Sequence, residues 1–236
     1  MPDRGLSARS QQPERMDTDC TGYDDYARCL ADLTKVNVVT MTHRPVLAWL
    51  ARETNDLDTF SLCDIGCGQG DLLRLIARLS GRKTITLQGV DRHPWSIRAA
   101  REATPTGAPI TYLEADLFSL PDDISWDFIV SSQFTHHLTN EELIRFIRWQ
   151  DRHATRGWFI ADLHRHWFAY YGFPLLARAA FWHHFVRTDG QISIARAFTI
   201  LEWRALLADA GVPANEATIT WHLPFRICVA RRCNLP

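Results

Sequence analysis

Apolar side chains recur along this chain in two periods, and the alternation between them sets out most of its elements. Residues 60–65 form a short apolar run that ends at glycines, which predicts a buried strand. The pattern over 71–79 is that of an amphipathic helix, closed by Gly81. Residues 84–90 read as the next strand, and Pro94 suits the first position of a helix through Ala103. Strands at 110–113 and 128–131 continue the series. Thr139 with Glu142 has the spacing of a capping box for a helix through Gln150, a fifth strand follows at 157–161, and Thr199 with Glu202 repeats the box before a helix stopped by Gly211. Two last strands, 218–221 and 225–230, are separated by little more than Pro224, so they are expected to pair antiparallel.

Strand–helix alternation ending in such a pair predicts an α/β protein, a doubly wound and mainly parallel sheet of seven strands. Upstream, Tyr26, Leu30 and Leu33, then Val46, Leu47 and Leu50, recur at helical steps, with a break over 37–45 that predicts two short helices. Residues 1–15 are polar, carry Pro2, Gly5 and Pro13, and show no periodicity, so they read as a mobile tail. The chain therefore divides into a tail (1–15), an N-terminal helical lid segment (16–58) and a main domain (59–236). Within that domain an aromatic-rich helical insert over 163–198 follows the fifth strand.

Composition adds exclusions. The chain has 236 residues, 26 Lys+Arg against 27 Asp+Glu, and a formal charge of −1, so no global basic field gathers a polyanion and nucleic acid is disfavoured as a partner. The six cysteines form no C-x-x-C pair and no zinc spacing. No apolar region follows Met1, and Pro174, Arg178, His183 and His184 interrupt the most apolar stretch, 167–186, so the protein is expected to be cytoplasmic.

The most informative stretch is Leu62-Cys63-Asp64-Ile65-Gly66-Cys67-Gly68-Gln69-Gly70-Asp71, whose three glycines fall where a strand must turn into a helix. The spacing is G-x-G-x-G rather than the G-x-G-x-x-G of nicotinamide sites, which disfavours an oxidoreductase on the same kind of sheet. The acid before the loop, Asp64, suits a ligand with an ammonium group better than a pyrophosphate. Asp91 ends the next strand, where an acid can take both hydroxyls of a ribose. Ala115-Asp116-Leu117-Phe118 follows the third strand, placing a carboxylate and a flat apolar surface where an adenine could lie. Each acid has a plainer reading: Asp64 and Asp91 as turn or helix caps, Asp116 as a solvated loop acid.

On these residues the sequence resembles the class I S-adenosylmethionine-dependent methyltransferases, from about Phe60 to the C-terminus. The resemblance implies a Rossmann-like methyltransferase fold and S-adenosyl-L-methionine as cofactor. It assigns Asp64, Gly66, Gly68 and Gly70 to the first motif, Asp91 with Arg92 to the second strand, Asp116 and Leu117 to the adenine side, and Ser131 to the fourth strand.

The acceptor should bind beyond the carboxyl ends of the strands, where two histidine clusters follow. His136 and His137 come after the fourth strand, His164 and His166 after the fifth, all four open to a structural or a basic role. A phenol is largely protonated at neutral pH, whereas a histidine is available as a base, so such a residue fits O-methylation, or C-methylation of an activated ring. His164-x-His166 with Asp162 has a ligand-like composition but lacks a fourth ligand, so no metal is expected. The aromatic density of 167–186 predicts a hydrophobic small-molecule acceptor, a hydroxylated aromatic, quinol or polyketide-like compound, in looser resemblance to enzymes of quinone and polyketide pathways. An RNA or protein methyltransferase, or a non-catalytic cofactor binder, is the alternative, and a homodimer stays open.

Overall fold

The structure, a computed structural model, describes residues 6–233. Seven strands form one sheet: β1 (Thr59–Ile65), β2 (Thr84–Asp91), β3 (Ile110–Glu114), β4 (Trp126–Ser132), β5 (Ala154–Leu163), β6 (Ala217–His222) and β7 (Arg226–Arg232), in the order β3-β2-β1-β4-β5-β7-β6. The first five run parallel, and β7 is antiparallel to both β5 and β6. The order reverses direction between β1 and β4, which places a crevice at the carboxyl ends of those two strands.

Alternation along the central strands builds a core on each face. Cys63, Ile65, Ile129, Trp158 and Ile160 point to one side, where Phe146 and Ile147 of α6 (Asn140–His153) and Trp203 and Leu207 of α9 (Ile200–Ala210) cover them. Leu62, Phe128, Val130 and Phe159 point to the other, under α3 (Arg44–Glu53), α4 (Asp71–Leu79) and α5 (Pro94–Ala103). Both predicted capping boxes form, at Thr139–Glu142 and Thr199–Glu202, and Gly211 ends α9 in the left-handed region. Strands β4 and β5 are longer than their apolar runs because Trp126 pairs with Ala154 and Leu163 with Arg226.

A third cluster lies above the carboxyl ends of the strands. It joins α1 (Arg15–Asp19), α2 (Tyr23–Val39), α7 (Trp167–Ala179) and α8 (His184–Arg196) through Met16, Tyr26, Cys29, Ala177 and Phe185, with Trp182 between α7 and α8 and Ala99 of α5. The break between the two N-terminal helices is narrower than expected, only residues 40–43. The tail reading is corrected for residues 6–15: Arg9 donates to the carbonyls of Arg196 and Leu138, Ser10 N to Ala195 O, and Arg165 holds the carbonyl of Leu6. These side-chain-to-backbone ties need no hydrophobic period, so no periodicity marks them. Residues 1–5 lie outside the described residues. No helix among the described residues is long and apolar enough to cross a membrane.

Candidate functional site

Strand β1 delivers its last residues into the glycine loop at the crevice. Gly68 has φ +53°, and a β-carbon there would meet nothing within 4 Å, so the loop leaves bare backbone beside open space. Gly70 has φ +71° and starts α4, and a β-carbon there would collide with the Tyr112 hydroxyl. Asp91 accepts from the backbone N–H of Gly68 at 3.0 Å and of His93 at 2.9 Å, so it braces the loop from the end of β2. The residue capping α5 is His93, not Asp91. Asp64 is buried, its Oδ1 has no hydrogen-bond partner, and burial, with Asp71 and Asp91 nearby, pushes its carboxyl well above the usual range.

The N-terminal helices are tied down over this loop. Asp71, in the first turn of α4, accepts from Asn37 Nδ2 at 2.9 Å and bonds His43 Nε2 at 2.8 Å. Gln69 Nε2 donates to the carbonyl of Leu30 at 2.7 Å. Gln133 Nε2 donates to Asn37 Oδ1 at 2.6 Å from a backbone at φ +55°, a strained conformation for a non-glycine residue. These contacts enclose a cavity of about 160 Å³ with Asp64, Gly66, Gly68, His136 and His137 in its wall.

The turn after β4 carries the two adjacent histidines in different states. Asp162, at the end of β5, accepts from His136 N and from the Thr135 hydroxyl through Oδ2, and its Oδ1 bonds His136 Nδ1 at 2.7 Å. On the other side His136 Nε2 lies 3.4 Å from Glu14 Oε1, an atom that also accepts from the Ser193 hydroxyl at 2.6 Å. Burial opposes a charge on His136, but the two carboxylates outweigh it and raise the imidazole to about 9. Burial would likewise raise Glu14, yet the two imidazoles bring it down to about 2. His137, with Nε2 3.7 Å from the same Glu14 oxygen, goes the other way: burial and the neighbouring His136 cation lower it despite Glu14. A buried cation and a neutral imidazole thus stand side by side.

Next to this cavity lies a second of about 420 Å³, apolar over most of its wall, formed by α7, α8, α2 and the β6–β7 turn. His164 is half-buried on that wall. Glu14, Leu33, Gln133, Leu163 and Ser193 belong to both cavities, so the two share a wall.

The structure does not gather every residue singled out in the sequence. Arg92 is exposed. Asp116 caps the turn at Leu117–Ser119, accepting from Phe118 N at 2.8 Å, and Leu117 is buried against the core. Ser131 is fully enclosed within β4, and its neighbour Ser132 takes the place in the cavity wall expected for it, one residue on along the pleat. His166 caps α7 through Nδ1 and stacks on Phe225, so it lines neither cavity. The group of Asp162, His164 and His166 does not converge; instead Glu14, His136 and His137 bring donor atoms within 4.8 Å of one another. Glu14, Gln133 and Arg226 were not marked by the sequence. Only the acid immediately ahead of α1 could have pointed to the first.

Residues 62–157 match a family model described as a methyltransferase domain. The fold is similar to that of the magnesium protoporphyrin IX methyltransferase of Synechocystis PCC 6803 with bound SAM, at 18% identity and a TM-score of 0.61 over 93% of this chain and 95% of that one. It is also similar to the plantazolicin methyltransferase BpumL in complex with SAH (14% identity, TM-score 0.59, 93% and 88% covered). A SAM-dependent methyltransferase from Aquifex aeolicus matches at 19% identity and a TM-score of 0.54, over 74% and 82%. No curated protein sequence matches the chain. The domain match and the fold bear out the resemblance to class I methyltransferases, and they do not extend to quinone or polyketide pathways.

Proposed function

We propose that this chain, a class I S-adenosylmethionine-dependent methyltransferase by its matched domain and its fold, methylates a largely apolar, hydroxylated small molecule, with O-methylation favoured. The acceptor class is a hydroxylated aromatic, quinol or polyketide-like compound. The observation that carries this reading is the wall shared by the glycine-loop cavity and the apolar cavity. A donor in the first and an acceptor in the second would meet across Glu14, Gln133 and Leu163.

The residues present suit the cofactor. The unpartnered carboxylate of Asp64 asks for a cation such as the ammonium of a methionyl group. Bare backbone at Gly68 permits close approach, and each Asp91 oxygen keeps a lone pair for a ribose hydroxyl. Asp116 and Leu117, at the turn that follows β3, are the residues we assign to the adenine side. When bound, the cofactor supplies a methyl group on a sulfonium, a leaving group that needs no acid from the protein. What remains for the chain is alignment, exclusion of water and removal of the acceptor's proton. His137 is the residue for that last task, because it is neutral and lines the cavity, whereas His136 already holds a proton. The tied-down α2 and the insert helices α7 and α8 act as the lid.

Calorimetry with S-adenosylhomocysteine on ligand-stripped protein tests this. The wild type should show saturable binding. Gly68→Val should abolish it, since a β-branched residue is strained at φ +53° and fills the open space. Normal binding by the variant sinks the glycine-loop assignment, and no binding by the wild type sinks the whole reading.

A further inference from the structure

Arg226, the first residue of β7, is the one cation on the wall of the apolar cavity, and no carboxylate lies in contact with it among the described residues. Its side chain is 2% exposed. Its partners are neutral oxygens only: Nη1 donates to Gln133 Oε1 at 3.3 Å and Nη2 to Thr40 Oγ1 at 3.1 Å and to Thr42 Oγ1, while Nε has no partner. Asp162 acts on it only at a distance and is itself bonded to His136 and Thr135, so this buried charge lacks a contacting counter-charge, which is costly. A guanidinium stays protonated at neutral pH even where burial lowers it, here to about 10. Folds keep such a group when something absent from the protein completes it.

The position says what that is. Arg226 pairs in register with Leu163 and hydrogen-bonds Gln133, two residues of the wall shared with the glycine-loop cavity. Away from this end the cavity is lined by Phe168, Phe173, Leu176, Phe185 and Ile194. One end offers a planar donor that suits a carboxylate, and the Phe- and Leu-lined body accepts hydrocarbon. The two acids of the wall are already engaged within the protein, Glu14 by His136 and Ser193 and Asp189 by the N–H groups of Arg15 and Met16. The volume, about 420 Å³, falls in the ~300–1,000 Å³ range of small-molecule sites.

We propose that the acceptor is an amphiphilic acid, with its apolar body in the larger cavity and a carboxylate set against Arg226 beside the shared wall. The word acceptor rests on the methyltransferase reading; the acid-binding site does not. Full-length protein saturated with S-adenosylhomocysteine is titrated calorimetrically at pH 7.5 with decanoate, decanol and decylamine, for wild type, Arg226→Lys and Arg226→Gln. Decanoate should bind the wild type about tenfold or more tighter than decanol, with decylamine weakest, as a charge-assisted hydrogen bond implies. Arg226→Lys should keep most of that preference. Arg226→Gln should bind decanoate and decanol within about threefold of each other, with decanol affinity retained as evidence of an intact cavity.

Equal affinities on the wild type, or a preference that survives in Arg226→Gln, would overturn the proposal and leave Arg226 as a tie between β7 and the α2–α3 connection. Should the glutamine variant not fold, the three ligands on the wild type and the lysine variant still decide. Cofactor-product heat without carboxylate preference sinks the acid site alone. Carboxylate preference without that heat sinks the methyltransferase reading alone.

Discussion

The clamp on His136 has a cost that pH can expose. Its imidazole sits between Asp162 at 2.7 Å and Glu14 at 3.4 Å, and it is 3% exposed, so solvent screens neither contact. Burial works against the proton, the carboxylates win, and the group moves from 6.5 to about 9. A pKa raised on folding contributes stability that is fully present below the unfolded value and disappears as pH rises through the folded one. At about 1.36 kcal/mol per pH unit, the contribution lost between roughly pH 6.5 and 9 is on the order of 3 kcal/mol. The depressed carboxyls of Glu14 and Asp162 reflect the same interactions from the other side, so they add nothing to this loss and matter only in acid. Urea unfolding of wild type and His136→Gln at pH 6.5, 8 and 10 reads the difference. The wild type should lose about 3 kcal/mol more than the variant across that range, though the variant starts lower because it leaves two buried carboxylates facing a neutral amide. Imidazole proton NMR should show one of the ten histidines titrating near pH 9, and that resonance should be missing from the variant. If every histidine titrates below neutrality, or the two proteins lose stability in parallel, the clamp does not hold a proton.

Three further outcomes follow from the same geometry. His137→Ala should slow methyl transfer by about 10²–10⁴-fold while S-adenosylhomocysteine affinity is kept, and the wild-type rate should be flat above neutral pH and fall in acid, because the lowered pKa of His137 leaves it unprotonated at pH 7; equal loss of affinity and rate would place His137 in cofactor binding instead. Gly190→Ala puts a β-carbon into the Phe173 ring, so the ring must swing within the apolar cavity. Bulky apolar ligands should then bind more weakly than small ones, with cofactor-product affinity unchanged. Thr199→Ala removes the acceptor for Glu202 N–H and one of the donors to Glu202 Oε2, which should cost about 1 kcal/mol in urea unfolding, with Thr199→Ser recovering most of it.

Much of the sheet-and-helix frame was legible because its signals are local. Pro94 at the start of α5, the two capping boxes, and glycines with positive φ at Gly70 and Gly211 each act within one turn of chain, so α4 and α5 match their predicted limits. The glycine loop was legible for the same reason, since a strand-to-helix turn and the acid at the end of the next strand lie within one β-α-β unit. Within the histidine pairs, however, no local pattern separates His136 from His137.

Their difference is made by charge brought from far along the chain. Asp162 arrives on the neighbouring parallel strand and Glu14 from the polar segment ahead of α1, and together they turn one of two adjacent imidazoles into a cation. Arg226 gains its place against the cavity only because β7 runs antiparallel beside β5, which sets it opposite Leu163 and within reach of Gln133. Periodicity and turn chemistry are properties of neighbours in sequence, so the sequence by itself determined the frame and the cofactor loop. Burial and electrostatics belong to neighbours in space, so only the tertiary structure decided which histidine is free to take a proton and where an acid would be held.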